Sequence, residues 1–235
     1  MRGDIDTIKG DLAKQALTNH ASLPLSDFKA TLPDLGSAIA TAKQQGAKVA
    51  PGVLNDLQQR LVAAEGAPGF WPTAAEFISY RSSSAVPALG VNVPDCTDRE
   101  PTPMKITAVP TPTTASVSSS TYENCRLTLD SAKDNAKINF LITHTAPFLT
   151  FEHCLIVYRA GSINLIVALN KFPLAVRVGD RPKQVVPFSG NTLHFENCIF
   201  DFSLSPAPPQ QGQQITELLL SHGTASVDIS IQKPS

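Results

Sequence analysis

The sequence predicts a mainly β protein, a short solenoid of repeated strands preceded by a small α-helical N-terminal region. Three observations predict it. A helical apolar period runs through residues 4–82 and then stops. Short β-branched and aromatic runs take over after Ser120. Three of those runs align with one another without gaps. With 42% hydrophobic residues in 235, the chain has enough apolar material for a core, which excludes a wholly disordered chain.

The helical elements come first. Ile5, Ile8, Leu12 and Ala16 lie at helical spacing behind Asp4. Leu35, Ile39 and Ala42 continue the pattern up to Gly46, and Val53, Leu54, Leu57, Leu61 and Ala64 repeat it up to Gly66. A further helix starts at Trp71-Pro72 and carries Ala75, Ile78 and Ser82 on one face. Pro24, Pro33, Pro51 and Pro68 mark the breaks between them. Residues 1–83 are therefore read as a helical region. Residues 84–120 are rich in Pro, Ser and Thr, as in VPTPTTASVSSS, and are read as an extended connector with a strand at 104–109. Residues 121–235 hold KINFLITHT, FLTFEHCLIVY, INLIVAL, LAVRV, TLHFENCIFDFSL, ITELLL and ASVDISI, all read as strands.

The aligned segments are Tyr122-Glu123-Asn124-Cys125-Arg126-Leu127-Thr128-Leu129, Phe151-Glu152-His153-Cys154-Leu155-Ile156-Val157-Tyr158 and Phe195-Glu196-Asn197-Cys198-Ile199-Phe200-Asp201-Phe202. Their starts lie 29 and 44 residues apart. Alternate residues of a strand share a face, so Cys and the apolar residues two and four positions later point the same way. The aromatic residue before Glu belongs to a preceding strand. Both strands can bury those faces in one core only if the chain bends between aromatic and Cys. Asn, and less readily His, accept the left-handed backbone that such a corner needs. Asn124, His153 and Asn197 are thus assigned as corner residues. Cys125, Cys154 and Cys198 form an inner ladder, and Glu123, Glu152 and Glu196 face solvent.

This pattern resembles the right-handed parallel β-helix of the pectin lyase-like superfamily, over roughly residues 104–235. The resemblance implies an architecture and leaves the activity open, since that superfamily contains polysaccharide lyases and hydrolases. No aspartate pair or Ca²⁺-binding cleft can be assigned from the sequence. Arg177, Asp180, Arg181 and Lys183 form the one compact polar cluster, and Gly-Asp-Arg-Pro is the composition of a solvated turn. An ordinary antiparallel sandwich is the structural alternative.

Chemistry elsewhere is thin. None of Cys96, Cys125, Cys154 and Cys198 stands in a CxxC or CxxH pair, so no metal site is assigned, and the cysteines are read as reduced, buried thiols. His144, His153, His194 and His222 show no third ligand in register. Arg2-Gly3-Asp4 opens a helix, where Asp is a good cap. Nucleotide-binding and zincin motifs are absent. Nineteen Lys+Arg against 20 Asp+Glu give a net charge of −1, which offers nucleic acid no electrostatic attraction. No apolar run reaches a membrane span and no apolar leader is present, so a cytoplasmic protein is expected, with the soluble part of a longer or membrane-attached protein as the alternative.

The sequence thus points to a non-catalytic binding or scaffolding module with no cofactor and no catalytic residue. The expected partner is a protein or a second copy, with a glycan as the other ligand class. Leu155, Val157 and Ile199 fall on the outward phase of their strands and form the expected interaction face. A carbohydrate-active enzyme is the competing reading.

Overall fold

The computed structural model describes residues 2–90, 92–106, 117–129, 136–137, 148–159, 174–175, 190–208, 210–222 and 227–232. They form six α-helices and two small sheets, a mixed α/β arrangement in place of the expected mainly β solenoid. The chain divides into two compact units. One comprises Met1–Pro87 and Phe202–Gly223, the other Ala88–Asp201 and Thr224–Ser235.

The first unit is helical: α1 Arg2–Ser22, α2 Leu25–Ala30, α3 Leu32–Gln44, α4 Pro51–Ala63, α5 Phe70–Ala85 and α6 Gln210–His222. Pro51 occupies the first turn of α4 and Pro33 that of α3, where a missing N–H costs nothing. Gly46, at φ 60, ends α3. Its N–H donates to Lys43 O at 3.1 Å and the Ala47 N–H donates to Ala42 O at 2.9 Å, the paired bonds of a Schellman closure. Leu17, Phe28, Leu35, Ile39, Leu61 and Phe77 are fully enclosed.

Helix α1 buries the opposite stripe from the one its larger residues suggest. Ala13, Leu17 and Ala21 are buried, while Ile5, Ile8 and Leu12 are 53%, 58% and 59% exposed. Small residues let the helix approach closely: a Cβ at Gly10 would already touch the Ala47 and Gln45 Cβ atoms at 3.7 Å.

ITELLL, read as a strand, lies inside α6. Ile215, Thr216, Leu219 and Leu220 are buried together at a helical interval that the run of three leucines hides. Arg81 of α5 caps its far end. It donates to Gln58 Oε1 at 2.6 Å and to Leu219 O, in the last turn of α6.

The second unit holds the strands β1 Thr102–Ile106, β2 Val117–Glu123, β3 Arg126–Thr128, β4 Phe148–Glu152, β5 Leu155–Tyr158, β6 Leu174–Ala175, β7 Gly190–Glu196, β8 Ile199–Phe202 (ending at the boundary with the first unit) and β9 Val227–Gln232. One sheet has the order β1-β2-β4-β7-β9-β6 and the other β3-β5-β8. β2, β4 and β7 are parallel and in register, but β1 pairs antiparallel with β2, and β9 pairs antiparallel with both β7 and β6. Antiparallel strands on both sides of three parallel ones make the larger sheet mixed. This overturns the parallel β-helix expectation. All of KINFLITHT after Lys137, all of INLIVAL and most of LAVRV lie outside the described residues.

Candidate functional site

The site is the set of corners where β2 turns into β3, β4 into β5 and β7 into β8. Asn124, His153 and Asn197 have φ of 51°, 51° and 50°, the three positive values among described non-glycine residues. The corners hydrogen-bond to one another, tier on tier. Asn124 N–H donates to Glu152 O at 3.1 Å and His153 N–H to Glu196 O at 3.0 Å, while Leu155 N–H donates to Cys125 O and Ile199 N–H to Cys154 O, both at 2.9 Å. These bonds carry backbone pairing through the turns, which helps a sharp bend persist inside a packed unit.

Several columns across the tiers keep one chemical character. Tyr122, Phe151 and Phe195 stack with ring centroids 5.3 and 5.4 Å apart and interplanar angles of 9° and 19°. Leu127, Ile156 and Phe200 are buried on the next strands. Outside, Glu123 is level with Glu152 and Glu152 with Glu196. Two imidazoles lie beside this row: His153 Nε2 is 3.8 Å from Glu152 Oε1 and His194 Nε2 is 3.5 Å from Glu196 Oε2.

Behind the corners lies a column of sulfur. Cys125, Cys154 and Cys198 are fully buried. Cys125 Sγ is 3.5 Å from Cys154 Sγ, Cys154 Sγ donates to Glu152 O at 3.3 Å, and Cys198 Sγ donates to Phe151 O at 3.2 Å. The neighbouring Cys198 thiol lowers the Cys154 pKa, whereas sharing that contact and burial push the Cys198 thiol far up.

Cys125 is not the reduced thiol expected from sequence. It is disulfide-bonded to Cys96, with Cα atoms 5.0 Å apart, while Cys154 and Cys198 remain free. Cys96 begins a 3-10 turn, Cys96–Asp98, beside the first tier, where Arg126 N–H donates to Pro94 O at 2.8 Å. The residue overlooked was Cys96, and a signal for it exists. It precedes Cys125 by 29 residues, the same interval that separates Cys125 from Cys154. Asp95 stands where the other copies carry Asn or His, but at φ −66° it makes no left-handed corner.

The sulfur column is not set for thiol–disulfide exchange. Displacement at Cys125 Sγ needs attacking, central and leaving sulfurs near one line. With a 3.5 Å approach and an S–S bond of about 2 Å, that line would separate the Cys154 and Cys96 sulfurs by about 5.5 Å. The three sulfurs instead lie within 4.8 Å of one another.

Of the expected interaction face, Leu155 and Ile199 are half-buried beside exposed Arg126, but Val157 is 3% exposed and so does not contribute. Arg159 pairs with Asp201 and donates to Asp201 O at 2.6 Å, bracing the outer side of the same sheet. His144 and the Arg177, Asp180, Arg181 and Lys183 cluster lie outside the described residues. No family model matches the chain, and neither does any curated protein sequence or solved structure, so the resemblance to the pectin lyase-like superfamily gains no support. No described helix is long and apolar enough to cross a membrane.

Proposed function

We propose that the chain is a non-catalytic binding module that engages a protein partner through the outward face of its tiered strands. The observation that carries this reading is the in-register repetition of Glu123, Glu152 and Glu196. Parallel strands sit about 4.8 Å apart, so the row offers evenly spaced carboxylates that match a partner presenting cationic side chains. Leu155 and Ile199 provide apolar contact in neighbouring tiers of the other sheet. The nucleophilic groups of the site, Cys154 and Cys198, are enclosed in the core and are not offered to a substrate.

The test is binding of the purified chain to immobilised lysine- and arginine-rich peptides and to a glycan array, with Glu152→Gln and the triple Glu123→Gln/Glu152→Gln/Glu196→Gln variant alongside. The expected result is retention on cationic peptides that weakens with salt and weakens further in the variants. Polygalacturonate should undergo no turnover, with or without Ca²⁺. Turnover of polygalacturonate, or peptide retention equal in wild type and triple variant, would refute the reading. Retention on glycans alone would replace the protein partner with a glycan.

A further inference from the structure

The sulfur column has a second capacity that depends on the state of the Cys96–Cys125 bond. Cys96, Cys125 and Cys154 are all buried, and their three sulfurs lie within 4.8 Å of one another. Three sulfurs spaced evenly around one metal at about 2.3 Å stand about 4.0 Å from one another, a spacing that lies inside the 4.8 Å within which these three already gather. Cys125 and Cys154, at 3.5 Å, are about half an ångström short of that spacing. The remaining adjustment is a parting of Cys96 from Cys125, and Cys96 sits on a short 3-10 turn outside both sheets. Cys198 occupies the next tier and is bonded to Phe151 O at 3.2 Å, on the far side of Cys154 from Cys125. The cluster is therefore three sulfurs, not four.

We propose that Cys96, Cys125 and Cys154, once the disulfide is reduced, form a three-thiolate site for a soft monovalent cation, copper(I). Thiolate sulfur selects soft ions. Structural zinc takes four ligands, and the three-sulfur cluster supplies one too few. The disulfide and the metal are mutually exclusive occupants of the same sulfurs, so binding is confined to reducing conditions. Reduction by a water-soluble phosphine breaks the S–S bond and gives two thiols, with the phosphine taking oxygen from water to become its oxide. Metal binding then releases the thiol protons to solvent. The spacing rules of zinc motifs miss such a site because its ligands come from successive tiers and not from one loop.

The experiment reduces the full chain with phosphine, removes the reductant anaerobically, and titrates copper(I) held by a chromophoric chelator. One copper per chain should transfer to the reduced wild type and to Cys198→Ser. None should transfer to the air-oxidised chain, Cys96→Ser or Cys154→Ser. Near-ultraviolet circular dichroism follows the fold of each. If the reduced chain is unfolded without metal, copper should restore the folded signal, by linkage. Failure of the reduced wild type to take copper or to refold with it would overturn the proposal. Equal uptake by the oxidised chain would also overturn it, and so would loss of uptake in Cys198→Ser with retention in folded Cys96→Ser.

Discussion

Asn124, His153 and Asn197 hold backbone angles that most side chains avoid because Cβ approaches the following carbonyl. A β-branched residue meets that clash in full. Replacing any one of the three with Val should lower stability by about 1–2 kcal/mol in urea melts, whereas Gly at the same position should be tolerated. Equal stability of the Val and Gly variants would mean that the corners are not left-handed. Tyr122 poses a different problem. Its ring is stacked and buried, but its hydroxyl has no hydrogen-bond partner among the described residues. Burial and the nearby Glu100 carboxylate push its pKa up to about 12. The unfolded phenol titrates near 10, so the folded chain holds this proton more tightly. Its contribution is complete below pH ~10 and is lost as the pH rises from about 10 through about 12. Tyr122→Phe should raise stability at neutral pH by about 1 kcal/mol. The difference between wild type and variant, followed by denaturant melts against pH, should widen in that alkaline window. At this scale the sequence was informative about the corners, because Asn and His at a fixed offset from Cys have a backbone reason to be there. At Cys96 the 29-residue interval was the one signal, because the flanking aromatic residue and Glu of the other copies are missing there.

At the scale of elements, periodicity identified helices in residues 4–82, and α1, α3, α4 and α5 lie there. It misjudged which face of α1 turns inward, since close approach through Gly10 and Ala13 outweighs the larger burial that Ile5, Ile8 and Leu12 would offer. It also misread α6, whose contiguous leucines mimic a buried strand. What sustains α6 is tertiary: buried Ile215, Leu219 and Leu220, and the Arg81 guanidinium at the negative end of the helix dipole. Desolvation brings the Arg81 pKa down to about 10, a measure of how enclosed this cap is. Arg81→Lys cannot reach both Gln58 and Leu219, because an ammonium lacks the planar fork. It should cost about 1–3 kcal/mol, read in thermal melts. A change within error would show that α6 does not depend on the cap. The Cys96–Cys125 bridge closes a loop across 29 residues, and removing it should cost about 3–4 kcal/mol on the chain-entropy account. Cys96→Ser in oxidising buffer measures this, with Cys198→Ala as the packing control.

For the whole molecule, the sequence repeat was a sound guide to local pairing but a poor guide to class. Three copies of one motif do stack in register, yet β1, β6 and β9 close the larger sheet with antiparallel pairing, and the helical unit recruits residues as late as His222. Nothing in the local period of strands announces the direction of their neighbours, which long-range packing decides. The motif copies stack so that their cysteines form one buried column closed by Cys96. Non-reducing peptide mapping by mass spectrometry tests it most directly, on chain purified in air and treated with a thiol reagent before and after denaturation. The expected result is a Cys96–Cys125 linkage, with Cys154 and Cys198 labelled only after denaturation. A linkage through Cys154 or Cys198, or rapid labelling of both in the native chain, would contradict it.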